Sequence, residues 1–185
     1  IHAPNGNVGV AINPADNVKI INNYFGTDVN GTTIFQSTGS GIGTNTFDSL
    51  EVINNLIAGD SIGISVSHNF SCCNGNKIQG NTIKNNAIGI WNANQGCLIT
   101  NNSIYDNSIG IKNYPYANDS ILPPDIAAIY ADSIIGYSRP YAEIELFYSQ
   151  SQNNTPQGKD FIGSVTADSL GRWKRTGMLN LTKSI

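Results

Sequence analysis

Over the first 113 residues the apolar positions step by two in short runs broken by Asn and Gly, a strand-and-turn pattern without helical spacing. Four stretches share one template: Ile or Val, two residues, Asn, one residue, then an apolar residue. They run from Ile20 to Phe25 around Asn23, Val52 to Ile57 around Asn55, Ile78 to Ile83 around Asn81, and Ile99 to Ile104 around Asn102. After four more residues the last three each read Ile-Gly-Ile, at Ile62-Gly63-Ile64, Ile88-Gly89-Ile90 and Ile109-Gly110-Ile111. With the earlier Gly9-Val10 and Gly41-Ile42, the glycines are spaced 32, 22, 26 and 21 residues apart, a base period near 21 with insertions.

One such unit cannot bury its own isoleucines. Stacking the units places Ile above Ile at ~4.8 Å and makes a continuous core, so the pattern predicts an all-β solenoid, the right-handed parallel β-helix. Asn tolerates left-handed turns, and its amide can bond the backbone or the neighbouring coil, so Asn23, Asn55, Asn81 and Asn102 are expected to form a structural ladder. A leucine-rich repeat has a similar period and its own Asn ladder but requires L-x-x-L-x-L before its Asn. Here Asn lies between two Ile positions, and the β-helix is preferred.

On the Asn-x-Ile-x4-Ile-Gly-Ile repeat, and on the run from Asn22 through Asn23-Tyr24-Phe25-Gly26-Thr27-Asp28 to Thr32, the chain resembles the parallel β-helix repeat family of secreted bacterial proteins. The run from Asn22 to Thr32 looks like that family's recurrent insertion. The resemblance covers roughly residues 1–113. Residues 114–124, with Pro115, Pro123, Pro124, Asn118 and Asp119, have linker composition. From 125 to 185 five short strands separated by turn residues are expected, similar to a bacterial immunoglobulin-like β-sandwich; a full sandwich of that kind needs about seven, so the module is expected to be incomplete.

Charge narrows the function. Charged residues make up 12% of the chain, the formal net charge is -3, and no Arg precedes Arg139, so no basic stripe exists for nucleic acid. No apolar run reaches the length of a membrane span, and no membrane insertion is expected of this segment. The opening on a repeat-like segment without a charged leader suggests a piece of a longer, exported protein.

Few residues offer chemistry. The coil alignment sets Glu51 beside Lys77, an exposed ion pair, and puts no two carboxylates on adjacent coils of one column; Asp60 and Asp106 fall ~10 Å apart. His68 has no second His beside it, and the loop at Asp28 lacks the further carboxylates of an EF-hand. No metal, cofactor or catalytic residue is therefore assigned. Trp91 should point outward, in a column with Ser65 and Lys112, where a sugar could stack. Cys97 aligns near the Cys72-Cys73 pair, and one disulfide from Cys97 to Cys72 or Cys73 is expected, with Cys73 favoured.

One tripeptide recurs. Half of the ten Asp residues are followed by Ser and a branched aliphatic, at Ser49, Ser61, Ser120, Ser133 and Ser169. Turn chemistry accounts for some of these. The tripeptide also resembles the O-glycosylation signal of one group of Gram-negative bacteria, which implies these five serines as acceptors. Together these features suggest a noncatalytic secreted or cell-surface scaffold, an adhesin-type stalk of a Gram-negative bacterium whose partners are other extracellular modules or surface proteins, or glycan. The alternative is a polysaccharide lyase or hydrolase whose catalytic coils lie outside this sequence.

Overall fold

The repeat closes into coils of three short strands each. In the computed structural model, which describes residues 1–2, 7–13, 15–45, 49–67, 75–149, 156–177, 179–180 and 182, thirteen strands occupy the first 113 residues. They are β1 (Val10–Ile12), β2 (Lys19–Ile21), β3 (Tyr24–Phe25), β4 (Ser40–Thr44), β5 (Glu51–Ile53), β6 (Leu56–Ala58), β7 (Ile62–Val66), β8 (Lys77–Gln79), β9 (Thr82–Lys84), β10 (Ile88–Asn92), β11 (Leu98–Thr100), β12 (Ser103–Tyr105) and β13 (Ile109–Asn113). Every third strand pairs in parallel, giving a five-stranded sheet A (β1-β4-β7-β10-β13), a four-stranded sheet B (β2-β5-β8-β11) and a four-stranded sheet C (β3-β6-β9-β12). This is the parallel β-helix that the repeat predicts.

The register follows the sequence template. Val10, Ile42, Ile64, Ile90 and Ile111 stack in sheet A; Ile20, Val52, Ile78 and Ile99 in sheet B; Phe25, Ile57, Ile83 and Ile104 in sheet C. Their middle members are fully buried and form one core. Each such side chain contributes about 1.5–3 kcal/mol, which a single unpaired coil could not collect. The long first spacing arises from an insertion between β3 and β4, whose residues 27–34 fold back as a loop closed by a bridge between Thr27 and Ile34.

The glycines of the first two Ile-Gly-Ile copies have a steric cause. A Cβ added at Gly63 would stand 2.6 Å from the Gly89 carbonyl oxygen on the next coil, and one at Gly89 would stand 2.5 Å from that of Gly110. Neighbouring coils therefore approach too closely at this corner for any side chain.

The coil path runs beyond the expected boundary at 113. Ala117 is buried, the Asn118 backbone N–H donates to Asn94, and the Asn118 side chain clamps Cys97, accepting from its N–H at 2.9 Å and donating to its carbonyl at 3.0 Å. Residues 114–118 thus belong to the last coil, and only the remainder of the expected 114–124 linker connects modules.

Five further strands follow, β14 (Asp125–Ile129), β15 (Ser133–Tyr137), β16 (Glu143–Ser149), β17 (Gly158–Thr166) and β18 (Arg172–Thr176). The first, second and fifth form an antiparallel sheet of order β14-β15-β18, and β16 pairs with β17 as a hairpin. Ile134, Ile144, Leu146, Ala167 and Trp173 are buried between them as a separate small core. The expected five strands are present among the described residues.

Candidate functional site

The expected asparagine ladder forms on the inner side of the turn between sheets B and C. The Asn55 backbone N–H and side-chain Nδ2 both donate to Asn81 Oδ1, at 2.8 and 3.0 Å, and Asn81 makes the same pair of bonds to Asn102 at 2.9 Å each. Asn23 does so to Asn55 at 2.8 and 3.3 Å. Three of the four Nδ2 groups also reach back to the preceding coil, from Asn55 to the Ile20 carbonyl, from Asn81 to Val52 and from Asn102 to Ile78. One buried amide thus ties three coils together.

A second ladder, not foreseen from sequence, runs along the next turn. Asp60 N donates to Asn86 Oδ1 at 3.0 Å, and Asn86 donates to Asn107 Oδ1 through both its N–H and its Nδ2 at 3.0 Å. Its signal was available: Asn86 and Asn107 each follow the first ladder's Asn by five residues. Asp60 fills the corresponding slot one coil earlier. Its carboxyl is buried, and Oδ2 has no hydrogen-bond partner. Burial pushes the group up to about 6, against the opposing hydrogen bond with Ser37.

The C-terminal module grips the end of the second ladder and the turn beside the first. Gln157 Oε1 accepts from Asn107 Nδ2 at 3.0 Å and from its backbone N–H at 3.2 Å, and Gln157 Nε2 donates to the Asn107 carbonyl. Glu145, on β16, accepts from the Thr100 hydroxyl and, at 2.9 Å, from the Asn101 N–H. The Ser103 hydroxyl donates to the Lys159 carbonyl at 2.7 Å, and the Lys159 ammonium lies 4.6 Å from the Tyr105 ring centre.

Elsewhere the outward groups are distributed as follows. Trp91 pairs in register with Ser65 and Lys112 and is 36% exposed, as its place in the repeat suggested. Glu51 lies beside Lys77 in register, but its ion pair forms with Lys19 on the other side, at 3.0 Å. Asp28 accepts from the backbone N–H of Thr32 and Thr33 and from the Thr32 hydroxyl, and so closes its own loop. Cys97 is buried in the solenoid core, whereas Cys72 and Cys73, with His68, lie outside the described residues, and so does the expected disulfide.

The Asp-Ser serines divide. Ser120 and Ser169 are exposed and Ser49 and Ser61 half-exposed, but Ser133 is 4% exposed within β15 and its hydroxyl donates to Asp132. Ser133 starts a paired strand, and its hydroxyl is unavailable to a glycosyl donor in the folded protein.

Stacked parallel sheets with ladders of buried asparagine define a parallel β-helix protein, here with a small β module joined to its last coil. The profile of the family described as periplasmic copper-binding protein (NosD) matches residues 26–120, and the chain belongs to that family. A comparison with curated proteins returned no match. Copper is held by His, Cys and Met donors. Among the described residues no three of His, Cys, Asp or Glu gather where they could hold a metal, His2 packs on Phe35, and Cys97 is enclosed by the core. The described residues do not fit a copper centre.

Proposed function

We propose that the protein is a noncatalytic scaffold of the bacterial cell envelope or exterior, a rigid stalk that holds a β module at a fixed angle for contact with surface partners. The observation that supports this most is the seam. Gln157 and Glu145 reach from the second module into the ladder and turn of the last coil, so the two parts are joined by hydrogen bonds of the kind that join the coils themselves. A spacer needs this stiffness; an independent module on a free tether does not.

The ionisable groups support the same reading, because several are spent on structure. Glu51 is paired with Lys19, Asp28 and Asp168 close turns, and Glu145 binds the last coil. The family's description as periplasmic supports a location outside the cytoplasm, in or beyond the envelope of a Gram-negative bacterium. Among the described residues no helix is long and apolar enough to cross a membrane.

Incubation of the protein with a panel of acidic and neutral polysaccharides tests this function. No release of unsaturated or reducing ends is expected, and sustained release proportional to protein concentration would replace the scaffold with a polysaccharide-active enzyme.

A further inference from the structure

The outer face of the turn between sheets B and C carries a groove of about 450 Å³ that spans the first three coils, with Asn22, Tyr24, Asn54, Gly80, Thr82 and Lys84 along it. Its shape comes from two features of the sequence. The first is the insertion after β3. Its loop folds so that Gly31 lies against Tyr24 and Leu56, close enough that an added Cβ would stand 2.5 Å from Leu56 Cδ2 and 3.5 Å from the Tyr24 ring. Asp28 holds that loop shut through Thr32 N at 2.8 Å, Thr32 Oγ1 at 3.0 Å and Thr33 N at 3.2 Å. The loop is therefore held against Tyr24 and Leu56, two of the residues that line the groove.

The second feature is Gly80. The same left-handed turn position is Asn22, Asn54 and Asn101 in the other coils. Gly80 alone carries no side chain there, and a Cβ at that position would collide with Asn54 Oδ1. The space a side chain would take at Gly80 is held instead by the Asn54 amide, which lies between the second and third coils along the groove. In the fourth coil the turn is covered, because Glu145 binds the Asn101 N–H.

The groove is rich in uncommitted polar groups. The inner asparagines of the turn are fully used in the ladder, but among the described residues the side chains of Asn22, Asn54, Thr82 and Lys84 form no hydrogen bond or ion pair. Tyr24 offers a ring 44% exposed. Amides and a hydroxyl that can both donate and accept, beside an aromatic face, match the hydroxyls and the apolar face of a sugar ring. Lys84 adds one ammonium, which suits a carboxylate. A peptide strand fits poorly, because the turn N–H groups are already committed: those of Asn22, Asn54 and Gly80 donate to Ile53, Gln79 and Thr100. A lone cation is also too little for nucleic acid.

We propose that this groove is a binding site for an acidic oligosaccharide, with a sugar ring on Tyr24 and a uronate carboxylate at Lys84, bound without cleavage. Binding and turnover are separate readouts, so this site and the scaffold function can fail independently. The test is affinity electrophoresis of the full chain in gels containing polygalacturonate, with dextran as the neutral control. Polygalacturonate should retard the protein and dextran should not. Tyr24→Ala and Lys84→Gln should each weaken retardation about tenfold, while Tyr24→Phe keeps it and unfolding midpoints confirm that each variant is folded. Trp91→Ala and Lys112→Gln, on sheet A, should leave it unchanged. Absence of retardation by polygalacturonate, equal retardation by dextran, indifference to Tyr24→Ala and Lys84→Gln, or loss in Trp91→Ala or Lys112→Gln would each overturn the proposal.

Discussion

Gln157 takes the place that a further asparagine would hold above Asn107: its Oε1 receives the Asn107 Nδ2 at 3.0 Å, as Asn107 Oδ1 receives the Nδ2 of Asn86 at the same distance. The longer glutamine side chain does from another module what an asparagine does from the next coil. A solenoid end otherwise leaves ladder groups without partners, and a repeat array needs a cap that satisfies them. Gln157→Leu keeps the bulk and removes the amide, and should destabilise the last coil by about 1–3 kcal/mol. Amide hydrogen exchange at Asn107 and its neighbours measures this directly. Faster exchange confined to the last coil is expected, and unchanged protection would mean that the cap contributes nothing.

Gln157 also marks how far sequence reasoning reaches. The Ile columns and the Asn23-Asn55-Asn81-Asn102 ladder were legible because a solenoid turns a sequence period into a spatial neighbour, so alignment of the repeats is alignment of the atoms. The two ends of the solenoid seam were not. Gln157 and Glu145 lie 50 and 44 residues from their partners Asn107 and Asn101, in a segment with no period, and nothing local distinguishes them from surface residues. The Glu51 ion pair failed for a finer reason. Register fixes Lys19 and Lys77 equally well on either side of Glu51, and only side-chain geometry chooses Lys19. The groove was hidden similarly, since the loop packed on its Tyr24 and Leu56 is an insertion that the repeat alignment sets aside.

Position along the ladder should set the cost of losing a rung. Asn81 has ladder partners on both sides, whereas Asn23 is only half-buried and bonds onward to Asn55. Asn81→Leu strands the Asn55 N–H that pointed at its Oδ1, removes one of the acceptors of Asn55 Nδ2, and leaves the Val52 carbonyl without its amide donor. A loss of about 1–3 kcal/mol or more is expected despite the gain in apolar surface. Asn23→Leu should cost clearly less. Thermal unfolding of the two variants decides the matter, and equal midpoints would show that the ladder bonds do not act through burial.

The Ile-Gly-Ile glycines should differ among themselves. At Gly63 the added methyl meets the rigid Gly89 carbonyl at 2.6 Å, whereas at Gly110 its nearest neighbour is the flexible Gln157 Cγ at 3.2 Å. Gly63→Ala must push two coils apart and should destabilise by about 1–3 kcal/mol, the usual range for overpacking. Gly110→Ala should be milder, because a side chain can move where a paired backbone cannot. Chemical denaturation of both variants provides the comparison, and a larger loss at Gly110 would contradict this steric account.

Asp60 should make the solenoid sensitive to mild changes of pH. Its slot in the second ladder is filled by Asn86 and Asn107 in the following coils, and a carboxylate there has no N–H to offer, is buried, and keeps one oxygen unpartnered. Burial, set against the Ser37 hydroxyl, raises the carboxyl from the usual 3.8 to about 6. The sign follows from the folded state holding the proton more tightly than the unfolded chain. The stabilisation is fully present below about pH 4, is lost as pH rises towards 6, and is absent above that. Asp60→Asn removes the titration and supplies the missing donor, so it should raise the unfolding midpoint at pH 7.5 while changing little at pH 4. Unfolding midpoints of the two proteins between pH 4 and 7.5 should therefore converge at the acid end. Parallel curves across that range would show that Asp60 does not titrate within it.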